Sequence, residues 1–222
     1  MAKLKGIIFD MDGTLVNNLA YHFHAFEEFV RREGLTLLQP MSLKFNGMHS
    51  DDIFPLLLGE EQCSRFSLDY LNHGKEAVYR DMYHGHVEPV AGLLELLREA
   101  KACGIKCAIG SSGCRENVEF IISELGIEEY IGAAISGSDV THGKPHPEIF
   151  SKAIEHLGLR AEECVVIEDG AIGIKAGIAA GCKCLGITTT STAETLTECG
   201  ATLCSPDFTT VTVKGLEALL ND

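Results

Sequence analysis

Residues 6–9, Gly-Ile-Ile-Phe, form an apolar run that ends on Asp10-Met11-Asp12-Gly13. β-Branched and aromatic residues suit a buried strand, and Asp-Gly suits the turn that leaves it. The period then lengthens. Tyr21–Arg32 carries Phe23, Phe26 and Val30 at spacings of three and four, which predicts an amphipathic helix. From there to about His86 the pattern is helix and loop without a strand, punctuated by Gly34, Pro40, Gly47, Pro55, Gly59 and Gly74. Beyond Pro89 and Gly92 the two periods alternate. Helices are predicted at Leu93–Cys103, Glu116–Leu125, Glu148–Leu157, Ala171–Ala180, Ala193–Glu198 and Val213–Leu220. Between them fall short strands at Ile105–Ile109, Ala133–Ile135, Cys164–Ile167 and Cys184–Ile187, and a weak one at Ala201–Cys204. Strands alternating with helices imply an α/β fold, a doubly wound (Rossmann-like) parallel sheet with right-handed crossovers. Residues 1–15 and 89–222 form the expected core, and residues 16–88 an inserted all-helical cap domain.

Composition narrows the class. With 222 residues, 45% hydrophobic and 23% charged, the chain can bury a full core and reads as a soluble globular protein. Its 18 basic and 32 acidic residues give a net charge of −14, which argues against nucleic acid or an anionic membrane as partner. A small anionic substrate stays compatible, because a metal ion and a lysine can reverse the local potential. No basic-then-apolar leader and no apolar run of about 18 residues is visible, so a cytoplasmic monomer is expected. The nine cysteines are scattered without a Cys-x-x-Cys pair and read as buried, reduced thiols.

The candidate chemistry gathers just past the strand ends. Asp10 and Asp12 follow the first strand, Ser111 and Ser112 the second, and Glu168 and Asp169 a later one. Lys144 sits in the loop Gly-Lys-Pro-His-Pro that opens a helix at Glu148. In a parallel sheet all these ends face one edge, where ligands bind. Each piece has an ordinary explanation by itself: a solvated turn, a helix cap, a surface loop, a dipole-complementing acid pair. Together, in this order, they make a phosphoryl-transfer site. Crowded carboxylates ask for a divalent cation, a shared proton, or both. Asp10 and Asp169 are the candidate metal ligands, with Mg²⁺ as the cofactor. Asp10 is the candidate nucleophile and Asp12 the acid and base. Ser111 and Lys144 would bind the phosphoryl oxygens, with backbone amides at Met11, Asp12 and Ser112 completing a cradle. Gly170, Gly173, Gly177 and Gly181 lack a nucleotide-loop spacing and predict a helix packed close on the sheet. His73, His84 and His86 lack the spacing of a metal site.

These motifs resemble the haloacid dehalogenase-like superfamily over nearly the whole chain. Asp10-Met11-Asp12-Gly13-Thr14 matches its first motif, Ser111 the second, Lys144 the third and Glu168-Asp169 the fourth. The resemblance implies the same roles, an Asp10 nucleophile and a helical cap inserted after the first motif, and it extends the expected Mg²⁺ ligands to Asp10, Asp12, Glu168 and Asp169, with the last acidic pair as the anchor. Asn17-Asn18-Leu19-Ala20-Tyr21-His22-Phe23 and the Gly-Lys-Pro-His-Pro-Glu loop are most similar to the β-phosphoglucomutase-like branch. There His22 corresponds to a histidine that positions the acid/base aspartate. Asn17 stands where that branch usually has Asp. Asn46-Gly47-Met48-His49-Ser50 resembles the substrate-reading loop of the mutase, with Ser50 in place of a phosphate-binding arginine. Arginine's planar fork suits a second, non-reacting phosphate, so its absence favours hydrolysis. Arg65, Lys75, Arg80, His49 and Arg115 are candidate replacements. Substrate contacts are accordingly expected from Ser112, Asn17, His22, His49, Ser50 and Arg115. The implied activity is a Mg²⁺-dependent phosphatase for a small phosphorylated metabolite, a sugar phosphate above all. A phosphohexomutase and a non-catalytic binding module of the same fold are the alternatives.

Overall fold

The structure, a computed structural model, describes residues 3–42 and 50–221. It divides into two compact units, Met1–Asn17 with Val87–Asp222, and Asn18–His86.

The larger unit is built on six parallel strands: β1 (Gly6–Phe9), β2 (Lys106–Gly110), β3 (Ile131–Ile135), β4 (Cys164–Glu168), β5 (Lys183–Ile187) and β6 (Leu203–Ser205). Their order across the sheet is β3-β2-β1-β4-β5-β6, every pair parallel. The chain therefore runs outward from β1 in one direction, then returns beside β1 to run outward in the other. The point of reversal lies between β1 and β4, where open α/β sheets bind ligands. Register aligns Phe9 with Ile109 on one side and Ile167 on the other, so Asp10 and Glu168 leave neighbouring strands at the same level.

Burial explains why β1 reads as an unbroken apolar run. Ile7, Ile8 and Phe9 are fully buried, as central parallel strands covered on both faces require. Ile8 packs with Ala108, Val166 and Cys184 under α6 (Glu148–Leu157) and α7 (Ala171–Ala179), through Phe150, Ile154 and Ile174. On the opposite face Phe9 meets the ring of Phe208 edge-on at 6.1 Å. The glycines of α7 do what their spacing predicts. A Cβ on Gly177 would lie 2.6 Å from Cys184 Sγ and 3.1 Å from Val166, so only glycine lets α7 sit this close. All nine cysteines are free, and burial pushes the Cys107, Cys164 and Cys184 thiols up to about 12. No helix among the described residues is long and apolar enough to cross a membrane.

The smaller unit holds α1 (Leu19–Arg32), α2 (Ser50–Cys63, interrupted at Gly59) and α3 (Leu68–Tyr83). The buried stripe of α1 is Ala25, Phe26, Phe29 and Val30; Phe23, expected in it, is only half-buried. Phe26 and Phe29 pack on Phe54 of α2, and Gly74 of α3 makes room for the Phe29 ring. This unit also buries polar groups. Asn18 Nδ2 donates to Tyr79 Oη at 2.6 Å, and the His22 ring stacks on Tyr79 at 4.0 Å. Lys75, 3% exposed, places Nζ 3.0 Å from His22 Nδ1 and 2.7 Å from Glu76 Oε1. The Phe26 ring faces the same ammonium at 4.8 Å.

Candidate active site

The loop after β1 turns back at once. Gly13 N–H donates to Val16 O at 2.7 Å, and Leu15 N–H donates to Met11 O at 2.8 Å. Gly13 has φ = +87°, and a Cβ there would lie 2.1 Å from Asp169 Oδ2. Only glycine therefore permits both the turn and the approach of Asp169. The Thr189 hydroxyl donates to Gly13 O and ties the tip of β5 to the same turn.

Four charged groups from two strand ends and one loop meet here. Lys144 Nζ donates to Asp10 Oδ1 at 2.5 Å and to Glu168 Oε1 at 2.8 Å, with its side chain 3% exposed. The ammonium lies 4.7 Å from the centre of the Phe150 ring. Glu168 Oε2 accepts the Gly170 N–H at 2.7 Å, and a Cβ on Gly173 would collide with the same carboxylate. Asp169 accepts from the Thr14 hydroxyl at 3.3 Å and from the Thr190 hydroxyl. One oxygen each of Asp10, Glu168 and Asp169 lies within 4.8 Å of the others, all three residues buried.

With all three carboxylates ionised, one ammonium leaves an excess of two negative charges. Burial pushes Asp10 well above the ordinary carboxylate range against the pull of Lys144, helped by repulsion from Glu168, Asp169 and Asp12. Burial and Glu168 likewise bring Asp169 to about 7 against the pull of the Thr190 hydroxyl and Lys144. Lys144 is held firmly protonated: Asp10 and Glu168 outweigh its own burial. A hard divalent cation fits this place in charge and in donor type, since every donor is a carboxylate oxygen.

Asp12, expected among the metal ligands, is not part of that triad. A Cβ on Gly113 would lie 3.2 Å from Ser111 Oγ and 3.5 Å from Asp12 Oδ2, so Asp12 and Ser111 border the same glycine. Ser111 is buried and accepts the Gly113 N–H at 3.0 Å. It is not a helix cap, because α5 (Arg115–Leu125) begins after Cys114. Ser112 is exposed beside it.

The other expected substrate contacts lie in separate elements of the chain. Arg115 is committed elsewhere: its guanidinium pairs with Asp139 and donates to Ala134 O at 3.2 Å. Burial would raise the Asp139 carboxyl, but Arg115 and Ser136 outweigh it and hold it at about 2. Asn17 is exposed, and it is Asn18 that is buried on Tyr79. His22 belongs to the cluster of the helical unit. His49 lies outside the described residues, and Ser50 is described only as the first residue of α2. Thr14, Thr189 and Thr190 were missed as site residues. Thr189 and Thr190 follow the end of β5, so the strand-end rule itself points to them.

Comparison with known proteins bears on this geometry. A relative in Arabidopsis thaliana, a haloacid dehalogenase-like hydrolase domain-containing protein, is 34% identical over 80% of this chain; the match spans 57% of its own length. A fructose-1-phosphate phosphatase of Escherichia coli is 28% identical over 81% of this chain and 94% of its own. Among solved structures, a haloacid dehalogenase hydrolase of Entamoeba histolytica superposes with a TM-score of 0.85 at 24% identity. It covers 99% of this chain and 100% of that one. The family profile of haloacid dehalogenase-like hydrolases matches residues 7–187, and the chain belongs to that family.

Proposed function

We propose that this protein is a Mg²⁺-dependent phosphatase of small phosphate monoesters, sugar phosphates in particular, working through an aspartyl-phosphate on Asp10. The observation that carries the reading is Lys144, buried between Asp10 and Glu168 with Asp169 beside them. Its relation to a fructose-1-phosphate phosphatase supports the substrate class.

Asp10, Glu168 and Asp169 would hold Mg²⁺, which when bound supplies charge neutralisation to the carboxylates and to the phosphoryl oxygens. An oxygen of Asp10 attacks phosphorus, and the ester oxygen leaves with a proton from Asp12. Asp12, on the Ser111 side of the turn, then takes a proton from water as that water attacks phosphorus. The products are the free alcohol, inorganic phosphate and the regenerated Asp10 carboxylate. Acid–base help of this kind contributes about 10²–10⁴-fold. Lys144 stabilises charge on the transferring oxygens, and Ser111 hydrogen-bonds them. Choice of ester is assigned to the helical unit of residues 18–86, read as the cap.

A screen across phosphate monoesters tests the reading. Phosphate release is expected from at least one sugar phosphate, abolished by Asp10→Asn and reversibly by EDTA. Turnover that survives either treatment would overturn it. Interconversion of hexose phosphate isomers that needs a bisphosphate primer would identify a mutase instead.

A further inference from the structure

A second cluster of donor atoms flanks Lys144 on its own loop. His142, His146 and Glu148 each place one donor atom within 4.8 Å of the others, one of two such groups among the described residues. The acidic triad of the active site is the other, and the donor chemistry differs. The active-site group offers three carboxylates, which suit hard cations. This one offers two imidazoles and one carboxylate, a set that suits zinc and its transition-metal neighbours.

The backbone already places these donors. Glu148 is the first residue of α6, and its carboxylate folds back over the loop to accept the Thr141 and His142 N–H groups at 3.0 Å each. Lys152 Nζ lies 2.9 Å from Oε1, which leaves Oε2 facing His142 Nδ1 at 3.1 Å. Tetrahedral zinc with bonds of about 2.0–2.1 Å sets neighbouring donors about 3.3 Å apart. The His142–Glu148 pair is thus already near the spacing of a shared metal. The His146 ring lies 4.6 Å from the His142 ring, centre to centre. The Glu148 N–H donates to His146 Nδ1 at 3.3 Å, a long bond that ligation through Nδ1 would replace. His146 N–H donates to Gly143 O at 3.0 Å and closes the turn.

We propose that His142, His146 and Glu148 form a binding site for a divalent transition metal, zinc being the probe, separate from the Mg²⁺ site. The remaining coordination positions take solvent. A metal bound there links residues 142, 146 and 148 and braces the loop that presents Lys144.

The test uses the untagged full chain. Zn²⁺ is titrated calorimetrically with Mg²⁺ in excess, and amide hydrogen exchange is followed over residues 141–147. One equivalent of Zn²⁺ is expected to bind and to slow exchange in that loop. His142→Ala with His146→Ala should weaken binding by about 100-fold or more and remove the protection, whereas Asp10→Asn with Asp169→Asn should keep both. His84→Ala with His86→Ala, in the other unit, should change neither. Zn²⁺ binding that survives loss of His142 and His146, or that disappears with Asp10 and Asp169, would overturn the proposal. So would the absence of a Zn²⁺ equivalent once Mg²⁺ is saturating.

Discussion

Replacing Lys144 with methionine isolates the electrostatics on which the site depends. The substitution keeps an unbranched apolar stem of nearly the same length and removes the ammonium. Nζ lies 2.5 Å from Asp10 and 2.8 Å from Glu168, with side-chain exposures of 3%, 9% and 5% for the three groups. At an effective dielectric of about 20, each contact is worth roughly 6 kcal/mol of attraction before desolvation is counted. Losing one member of a buried ion pair costs about 3–5 kcal/mol net, a large part of a typical domain's 5–15 kcal/mol. The loss depends on pH in a definite direction. Asp10 and Asp169 are already held above their unfolded values, and without Lys144 both move higher. A carboxylate with a raised folded pKa stabilises below its unfolded pKa, near 4, and that stability is lost as pH rises through the folded value. The penalty is therefore smallest near pH 5 and largest near pH 8. Equilibrium urea unfolding of wild type and variant in EDTA, at both pH values, measures it directly. A variant within about 0.5 kcal/mol of wild type at pH 8 would refute a charge-compensating role for Lys144.

Other consequences are separately measurable. Gly13→Ala forces φ = +87° on alanine and a Cβ 2.1 Å from Asp169, whereas Gly34→Ala meets only the backbone strain of φ = +63° in open space. Calorimetric melting should show about 1 kcal/mol lost for Gly34→Ala, and a larger loss together with at least tenfold weaker Mg²⁺ binding for Gly13→Ala. Because Asp169 sits at about 7, Mg²⁺ binding below that point should release a proton and weaken about tenfold per pH unit for each proton displaced; titrations between pH 5.5 and 8, chosen to span about 7, read the slope. Thr190→Val removes a hydroxyl that holds the Asp169 carboxylate down, so the same transition should move to higher pH; an unmoved midpoint would contradict it. Tyr79→Phe removes the 2.6 Å acceptor of Asn18 and should cost the helical unit about 1–3 kcal/mol, seen as faster amide exchange confined to α1 and α3.

What the sequence revealed follows from how locally each feature is written. β1, β4, α6 and α8 (Ala193–Glu198) are legible because their periods and punctuation are local, and fully buried strands need no partner to be recognised. β3 begins two residues earlier than its apolar triplet suggests, because pairing with β2 extends it over Ile131 and a Gly132 that carries no apolar signal. The catalytic candidates are legible for a topological reason: in a parallel sheet every strand end points to one edge, so order along the chain implies proximity in space. The same rule reaches Thr189 and Thr190, which pass as strand-forming residues after β5 until Gly13 and Asp169 are placed beside them.

Long-range pairing is where local signals stop. Arg115 carries the right fork for a phosphate, yet its partner Asp139 lies 24 positions away on a single tight turn, and nothing in either segment announces the other. His142 and His146 are four apart, the spacing of a helical metal pair, but they sit in a loop with Pro145 between them, so helical geometry does not bring them together. Glu148 folding back on the loop does. Lys144 stands between these two arrangements. Its position among acidic strand ends predicts attraction to them, while its burial between two carboxylates shows that the ammonium is also the group that makes such crowding tolerable. A site that concentrates negative charge for a cation needs a fixed positive charge to survive without it, and Lys144 fills that need from a loop whose own donors give it a second point of control.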